Sequence, residues 1–547
     1  MQKFKKVNVE VDCKSVTGDL KHTWRYIGYD ENNFTTTPQG EELIAKFGSL
    51  EDAPYYFRTH HMLCTGNLYG TYKWGSTNAY TEDKQGNPVY NWEVVDNILD
   101  VYLRNNSKPF FEIGFMPLDL VDPKNFEGIK KWELRNEYQR IFWAYPPKDY
   151  KKWYDLIYNL VKHCVDKYGQ EEVLTWYWEL WNEPDIFYWQ GTCEEFCKLF
   201  DYTEAAVHAV LPEARLGGPA TTDPVPGSRS LEFLEKFLDH CSNGINFVTG
   251  EKGTRLDYIT FHTKGGGYAF SLDAEKETPS VKKLVEQVKT GVEVIAKYGY
   301  GDREVVLSEA DPDGWAAGGR FDNINMNFRN TEYYATYVAS SYHHTEMLAK
   351  SMNADIRPVA WAFMFMADRC FDGTRSFTTQ GIDKAVLNLF KMYGMMGNKS
   401  LHFKSSQEKN VLQFKDNFGT GEEPDVSGMA GMSDNGDIQI MIYSHHDDWD
   451  VEMDFEIELD ISNYVIGEKA FISHYRIDKN HSNAYTEWVA QGKPDFPDAV
   501  QYEKIKSKDS LELMEPKKEV TISGGNIRQV FKLPAHAVSL LVISKDF

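Results

Sequence analysis

From about residue 54 to residue 400, short apolar runs alternate with longer segments whose apolar positions recur at helical spacing. The apolar runs predict strands over residues 55–60, 109–115, 173–182, 214–217, 256–262, 304–309 and 358–365. Between them, amphipathic patterns predict helices over about 153–165, 194–210, 281–297 and 332–350. Repeated strand–helix units of this kind favour an α/β fold, a (β/α)₈ TIM barrel. A doubly wound open sheet is the alternative, although no Gly-rich phosphate loop follows the first strand.

The pattern changes after about Gly397. Strand-like alternation appears over residues 437–443, 451–459, 470–477, 519–522 and 538–543, with turn-forming residues between them. This pattern predicts a C-terminal β-sandwich, and residues 6–11 form a further strand that is expected to pair with it. The predicted division is therefore an N-terminal strand in 1–20, a catalytic barrel in 21–397 and a β-sandwich domain in 398–547.

Composition narrows the classes of partner. The chain has 547 residues, of which 42% are hydrophobic, so it has ample material for a large core. Its net charge of −23 argues against nucleic acid or an anionic membrane surface as a partner. A small anionic sugar is still possible as a substrate, since a few local cations can override a diffuse field.

Localisation and metal binding leave weaker signals. No apolar run is long enough for a membrane helix, and none follows the basic start as a signal peptide would. We therefore expect a cytoplasmic protein, or an exported one (periplasmic, secreted or lysosomal) whose leader has been removed. The seven cysteines lack zinc-type spacing, and no other metal or cofactor motif is present, so neither a metal nor a cofactor is expected.

Polar residues end several of the predicted strands. Arg58 and His60 end the strand predicted over 55–60, and Asn182 ends the strand over 173–182, with Glu183 directly after it. His262 ends the strand over 256–262, with Lys264 two positions later, and Glu309 ends the strand over 304–309. Because a (β/α)₈ barrel forms its active site at the carboxyl ends of its strands, we expect these side chains to converge.

The two glutamates suit glycosidic bond cleavage, which requires a pair of carboxyl groups. Glu183 stands among Trp178, Trp181 and Trp189, so apolar surroundings are expected to raise its pKa and suit it to the acid role. Glu309 is expected to stay ionised beside Arg58 or a hydrogen bond from His262, as a nucleophile must. Two alternatives stand beside this interpretation. Each glutamate could instead form a structural ion pair, and Glu179 is a rival acid deeper on the same strand face.

Several motifs together resemble glycoside hydrolase family 39, which contains β-xylosidases and α-L-iduronidases. They are Arg58-Thr59-His60, Phe111 to Pro117, Trp181-Asn182-Glu183-Pro184-Asp185, Ser308-Glu309, Tyr475 to Asp478 and Leu533-Pro534. The resemblance implies a (β/α)₈ barrel with a β-sandwich, a retaining mechanism, Glu183 as acid/base and Glu309 as nucleophile.

Within that family the sequence is more similar to the iduronidase branch. The similarity lies in Arg215 to Pro219, in residues 240–265 and in Glu309 to Pro312 with Gly314-Trp315. It implies that Lys264 and the backbone of Gly314 and Trp315 hold a sugar carboxylate. A uronate needs such a cation and free N–H groups, whereas xylose has no C5 substituent to recognise.

Residues 365–379 depart from both branches. The paired acidic residues of the xylosidases are missing, and Asp368 and Arg375 are the candidates for an aspartate and arginine of the iduronidases, on a shorter loop. The sequence therefore predicts a retaining exo-glycosidase acting on an oligosaccharide and removing a terminal α-L-iduronic acid or related uronosyl residue. A β-xylosidase is the alternative, and a non-catalytic carbohydrate-binding protein is a distant one.

Overall fold

The computed structural model of the chain describes residues 4–67, 75–130, 141–267, 271–314, 318–364, 369–414, 423–465 and 469–545. Its strands are β1 Lys5–Asp19, β2 Tyr26–Tyr29, β3 Tyr55–Thr59, β4 Tyr80–Glu82, β5 Pro88–Tyr90, β6 Ser107–Ile113, β7 Tyr177–Leu180, β8 Arg215–Thr221, β9 Tyr258–Gly266, β10 Glu304–Asp313, β11 Asp355–Pro358, β12 Ala360–Trp361, β13 Thr378–Thr379, β14 Ile382–Asp383, β15 Lys399–Ser405, β16 Asp425–Met432, β17 Ile438–His445, β18 Asp454–Ser462, β19 Ala470–Ile477, β20 Glu512–Leu513, β21 Lys518–Val520, β22 Ile527–Pro534 and β23 Ala537–Ser544. Its α-helices are α1 Pro38–Gly48, α2 Glu93–Arg104, α3 Tyr150–Tyr168, α4 Gln170–Val173, α5 Cys193–Val210, α6 Arg229–Asn243, α7 Val281–Lys297, α8 Glu332–Met352, α9 Ala385–Tyr393, α10 Ala484–Ala490 and α11 Ala499–Lys506.

The central sheet is a parallel barrel. Its strand order is β11-β10-β9-β8-β7-β6-β3-β2-β12, and each neighbouring pair is parallel. Strands β11 and β12 are two pieces of one strand separated by Val359, whose N–H donates to the Leu307 carbonyl across the sheet. The helices lie between successive strands in the chain. The predicted (β/α)₈ barrel is therefore confirmed.

The barrel differs from the sequence prediction in several details, and two of them have a clear physical reason. Strand β2 was not predicted, because its four residues are all buried and offer no alternation to read. At Gly28 of this strand an added Cβ would lie 2.1 Å from atoms of the Trp361 ring, so the glycine leaves space for that ring. The strand predicted over residues 173–182 begins too early, since Gln170–Val173 is helical and β7 starts at Tyr177. Periodicity cannot separate helix from strand in so short an apolar run.

Within the described residues, the second sheet has ten strands and includes the first strand of the chain. Strand β1 pairs antiparallel with β15 and parallel with β18. Its alternate residues Val7, Val9 and Val11 are buried and join one apolar cluster with Ile440 of β17 and Ile457 of β18. Opposite parts of this sheet thus share one core, as the predicted β-sandwich requires.

Helix α8 is buried on most of its surface because it lies between the barrel and the second sheet. The Tyr333 hydroxyl donates to the Asp447 carbonyl at 2.6 Å, and His344 contacts Asp425 at 2.9 Å. These two polar side chains are therefore satisfied by the second-sheet region rather than by solvent. Across the described ranges, no helix has both the length and the hydropathy needed to cross a membrane.

Candidate active site

The polar strand ends meet at the carboxyl end of the barrel. Arg58 lies in β3 and His60 follows it, Asn182 and Glu183 follow β7, His262 and Lys264 lie in β9, and Glu309 lies in β10. All but Glu183 are buried, and Glu309 is 4% exposed. The barrel therefore brings together the residues that the sequence left far apart.

The two glutamates lie within reach of one substrate atom. One carboxylate oxygen of each, together with a ring nitrogen of His262, lie within 4.8 Å of one another. Retaining glycosidases place their carboxyl groups roughly 5–5.5 Å apart, whereas inverting enzymes need roughly 6.5–9.5 Å to admit a water molecule. The observed spacing matches the first arrangement.

The backbone after β7 turns sharply to present Glu183. Trp181 has φ 69° and Glu183 has φ 46°, both in the left-handed region that non-glycine residues rarely adopt. The Glu183 N–H donates to the Ala220 carbonyl at 2.8 Å, and Asp185 accepts hydrogen bonds from Thr222. The end of β8 thus holds this conformation, which is typical of residues placed for function.

Cationic and imidazole groups surround Glu309. Lys264 Nζ lies 2.7 Å from its Oε2, while His60 Nε2 and Arg58 NH1 lie 3.4 and 3.6 Å from its Oε1. Burial raises the pKa of this carboxyl, but His262, Lys264 and His60 outweigh burial and hold the pKa well below its usual range. Glu309 is ionised at neutral pH, as a nucleophile must be.

The environment of Glu183 differs from the sequence prediction. Its Oε1 lies 3.0 Å from His262 Nδ1, whereas Glu309 Oε2 is 3.7 Å from the same nitrogen. Burial raises the pKa of Glu183, but the hydrogen bond and charge of His262, together with the charge of Lys264, outweigh burial and place the pKa below its ordinary value. The expectation of a raised pKa is therefore wrong for the free protein. Glu309 is nevertheless the stronger acid of the two.

Arg58 organises the floor of the site. Its Nε lies 2.5 Å from Glu179, and its NH2 lies 3.1 Å from Glu112 and donates to the Asn182 side-chain oxygen at 3.0 Å. Glu179 is fully buried and occupied by this ion pair, which fits a structural role. The Asn182 amide nitrogen is buried and has no hydrogen-bond partner among the described residues.

His60 links this floor to the nucleophile. Its Nδ1 lies 2.6 Å from Glu112. Burial lowers the pKa of His60, but Glu112 and Glu309 overcome burial and raise it to about 9. The ring is thus charged at neutral pH, with Nδ1 donating to Glu112 and Nε2 lying 3.4 Å from Glu309.

The residues assigned to a sugar carboxylate are only partly available. Lys264 also contacts Asp311 at 3.3 Å, and Arg375 forms an ion pair with the same Asp311 carboxylate. The Gly314 N–H donates to the Gly266 carbonyl at 3.0 Å, so it is not free for a ligand. Two other predicted contacts, Trp315 and Asp368, lie outside the described residues.

Three acidic residues of the site were not assigned a site role from the sequence. Asp30 follows the unpredicted strand β2, and Glu112 lies inside the strand predicted over residues 109–115, before its end. Asp311 stands two positions after Glu309, so strand alternation places it on the same face. Strand alternation could have assigned Asp311 to the site. Asp30 could be assigned only after strand β2 had been predicted.

Glu183, His262 and Glu309 also form the one group of metal-ligand type within the described ranges. Lys264 Nζ already lies 2.7 Å from Glu309 and supplies the positive charge that a metal ion would bring. A second cation there would meet repulsion from Lys264, Arg58 and Arg375. The donor set therefore suits an organic substrate better than a metal.

Comparisons with known proteins agree with this geometry. The model of glycosyl hydrolases family 39 matches residues 7–527. The β-xylosidase of Geobacillus stearothermophilus is 25% identical over 436 residues, covering 78% of this chain and 75% of that protein. Human α-L-iduronidase is also 25% identical, over 82% of this chain and 65% of that protein.

Solved structures share the fold. A bacterial orthologue of human α-L-iduronidase superposes with a TM-score of 0.78 at 19% identity, over 100% of this chain and 84% of that chain. A monomeric β-xylosidase from Caulobacter crescentus CB15 gives a TM-score of 0.76 at 18% identity, over 98% of this chain and 99% of that chain. With the family model matching nearly the whole chain, the protein belongs to glycosyl hydrolases family 39.

Proposed function

We propose that the protein is a retaining exo-glycosidase that removes a terminal α-L-iduronic acid, or a closely related uronosyl residue, from an oligosaccharide. The observation that carries the substrate proposal is Lys264, a buried lysine whose Nζ lies 2.7 Å from the Glu309 carboxylate. A sugar bound for attack by Glu309 must pass close to that ammonium group. A carboxylate on the sugar ring would find a charge-assisted partner there.

The chemistry proceeds by double displacement in this proposal. Glu309 attacks the anomeric carbon and forms a bond to it, while Glu183 gives its proton to the departing glycosidic oxygen. Glu183 then takes a proton from water, the water oxygen bonds to the anomeric carbon, and the Glu309 ester bond breaks. The spacing of the two carboxylates, within 4.8 Å, supports this sequence.

The protonation of Glu183 requires a change on substrate binding. In the free protein the hydrogen bond from His262 favours the ionised carboxyl. A glycosidic oxygen placed beside Glu183 accepts a hydrogen bond only from the protonated form, and the sugar excludes water from both carboxyls. Both effects raise the pKa of Glu183 in the complex.

Charge around the sugar site supports a uronate. Lys264 and Arg375 both contact Asp311, and burial raises the pKa of Asp311 even though these two cations favour its charged form. An arriving sugar carboxylate would compete with Asp311 for the same cations. Protonation of Asp311 would leave both cations to the substrate.

A β-xylosidase is the second candidate, and one contact favours it. The Gly314 N–H is occupied by the Gly266 carbonyl, which removes a donor that the uronate proposal would use. In that case Lys264 would only stabilise the charged form of Glu309 and would not contact the sugar. The two activities differ in the C5 substituent, so a direct comparison separates them.

The test is a comparison of kcat/KM on an aryl α-L-iduronide and an aryl β-D-xyloside, for the wild type and Lys264→Met. Because Lys264 touches Glu309, we expect the variant to lose activity on both substrates. Loss of a charge-assisted contact, about 1.5–3 kcal/mol, should reduce iduronide turnover by a further factor of about 10–160. Lys297→Met, an exposed lysine paired with Glu235, serves as the control. Faster xyloside turnover, with the ratio unchanged by Lys264→Met, would refute the uronate assignment.

A second test addresses the mechanism. Glu309→Ala should abolish turnover, and external azide should restore part of it, yielding a glycosyl azide of inverted configuration. Glu183→Ala should retain more activity on substrates with good leaving groups than on substrates with poor ones. With this variant, azide should give a glycosyl azide of retained configuration. Normal turnover by Glu309→Ala would remove Glu309 from the nucleophile role. If Glu309→Ala gave the azide of retained configuration and Glu183→Ala the inverted one, the two roles would be reversed.

A further inference from the structure

Asp30 is a buried carboxylate that lacks a close partner among the described residues. It follows strand β2 directly and is 6% exposed. In the described ranges, the nearest cationic atoms are Arg375 NH2 at 3.6 Å and His60 Nε2 at 3.7 Å, both beyond hydrogen-bond distance. No residue of the described ranges donates a hydrogen bond to its side chain. Buried charges are normally hydrogen-bonded, so this exception requires an explanation.

The position of Asp30 places it inside the sugar site. Both of its neighbouring cations also face the nucleophile, since His60 Nε2 lies 3.4 Å and Arg375 NH1 3.9 Å from Glu309. In the barrel order, β2 lies three strands from β7 and four from β8, whose Ala220 holds Glu183 in place. Asp30 therefore faces the site from the side opposite the proposed acid/base.

The chemistry of a carboxylate at that position suits sugar hydroxyls. Glu183 must lie beside the glycosidic oxygen, at the anomeric carbon of the bound sugar. The opposite wall of the site therefore contacts the far side of the sugar ring, and that side carries the 3- and 4-hydroxyls. A carboxylate has two oxygens that accept hydrogen bonds from a pair of neighbouring donors. The two long contacts to Arg375 and His60 leave those lone pairs available.

We propose that Asp30 is a specificity-determining residue that accepts hydrogen bonds from the 3- and 4-hydroxyls at the non-reducing end of the bound sugar. This inference rests on the proposed glycosidase site but not on the identity of the C5 substituent. α-L-Iduronate and β-D-xylose share the ring configuration that Asp30 would contact. A buried acceptor at this end also restricts the enzyme to terminal residues, because a further sugar attached at O4 would remove one donor.

The alternative is that Asp30 acts only through His60 and Arg375, by balancing their charge. In that case loss of the carboxylate would affect all substrates by one factor. A direct contact predicts something different, because a substrate that lacks the contacted hydroxyl has nothing to lose when Asp30 is removed.

The experiment combines variants with deoxy substrates. kcat/KM is measured for the wild type, Asp30→Ala and Asp30→Asn on the aryl glycoside that the enzyme hydrolyses, whether iduronide or xyloside, and on its 3-deoxy and 4-deoxy analogues. For the wild type we expect at least one deoxy analogue to react about 30-fold or more slowly, since sites built around a hydroxyl reject its absence strongly. Asp30→Ala should lose a similar factor on the parent substrate and less than about threefold on that analogue.

Equal losses on the parent and on both deoxy substrates would overturn the proposal, as would no loss on the parent. Asp30→Asn provides the same comparison with conserved shape if the alanine variant fails to fold, which a thermal melting curve shows. Asp383→Asn is the matched control, because Asp383 is 5% exposed and pairs with Lys46 and Lys391 rather than with the site. It should change all substrates by one factor. Wild-type turnover of either glycoside establishes the proposed activity separately from the behaviour of Asp30.

Discussion

His60 offers a quantitative link between the site and folding stability. The perturbation is His60→Gln, which keeps a hydrogen-bond donor near Glu112 but removes the titrating ring. Burial lowers the pKa of His60, yet its carboxylate neighbours raise it from 6.5 to about 9. A rise of that size corresponds to about 3 kcal/mol of folding free energy. Because the folded pKa is the higher one, this contribution is complete below pH 6.5 and is lost as the pH rises through 9.

The assay is denaturant unfolding of the wild type and His60→Gln at pH 6 and at pH 10. The stability advantage of the wild type over the variant should shrink by about 3 kcal/mol between these two conditions. His402→Gln, at an exposed histidine, controls for the substitution itself. Parallel pH dependence of the wild type and His60→Gln would show that the ring is not held in its charged form by Glu112, and would refute the reasoning.

Two further perturbations test the groups around the glutamates. Arg58→Met removes the cation between the buried Glu112 and Glu179, so the free energy of unfolding should fall by about 3–5 kcal/mol. Activity should also fall, because the Asn182 side chain loses its hydrogen bond from Arg58. A melting temperature equal to that of the wild type would contradict this. His262→Ala removes a group that lowers the pKa of both proposed catalytic carboxyls, so both limbs of the kcat/KM profile should move to higher pH. An unchanged or acid-shifted profile would show that His262 does not control these carboxyls.

Much of the architecture was predictable from local pattern. The alternation of apolar runs with amphipathic segments predicted the barrel, and helix α7 was predicted with its observed bounds, Val281–Lys297. Such patterns report which face of a strand or helix is buried, and that information is local. Strand β2 was not predicted, because a fully buried four-residue strand shows no alternation of buried and exposed positions.

The reaction class also follows from the sequence, whereas the partners of each charged group do not. The motif ending at Glu183 and the strand ending at Glu309 indicated a pair of carboxylates, and the family comparison supports a glycosidase. Only the closed barrel decides that the hydrogen bond of His262 goes to Glu183 rather than to Glu309, and that Arg58 binds Glu179. Only the closed barrel places Asp30 beside the nucleophile's partners. The physical reason is that the pKa of a buried group, and whether its polar atoms are free to bind a substrate, depend on charges from strands distant in sequence. Only the closing of the barrel brings those strands together.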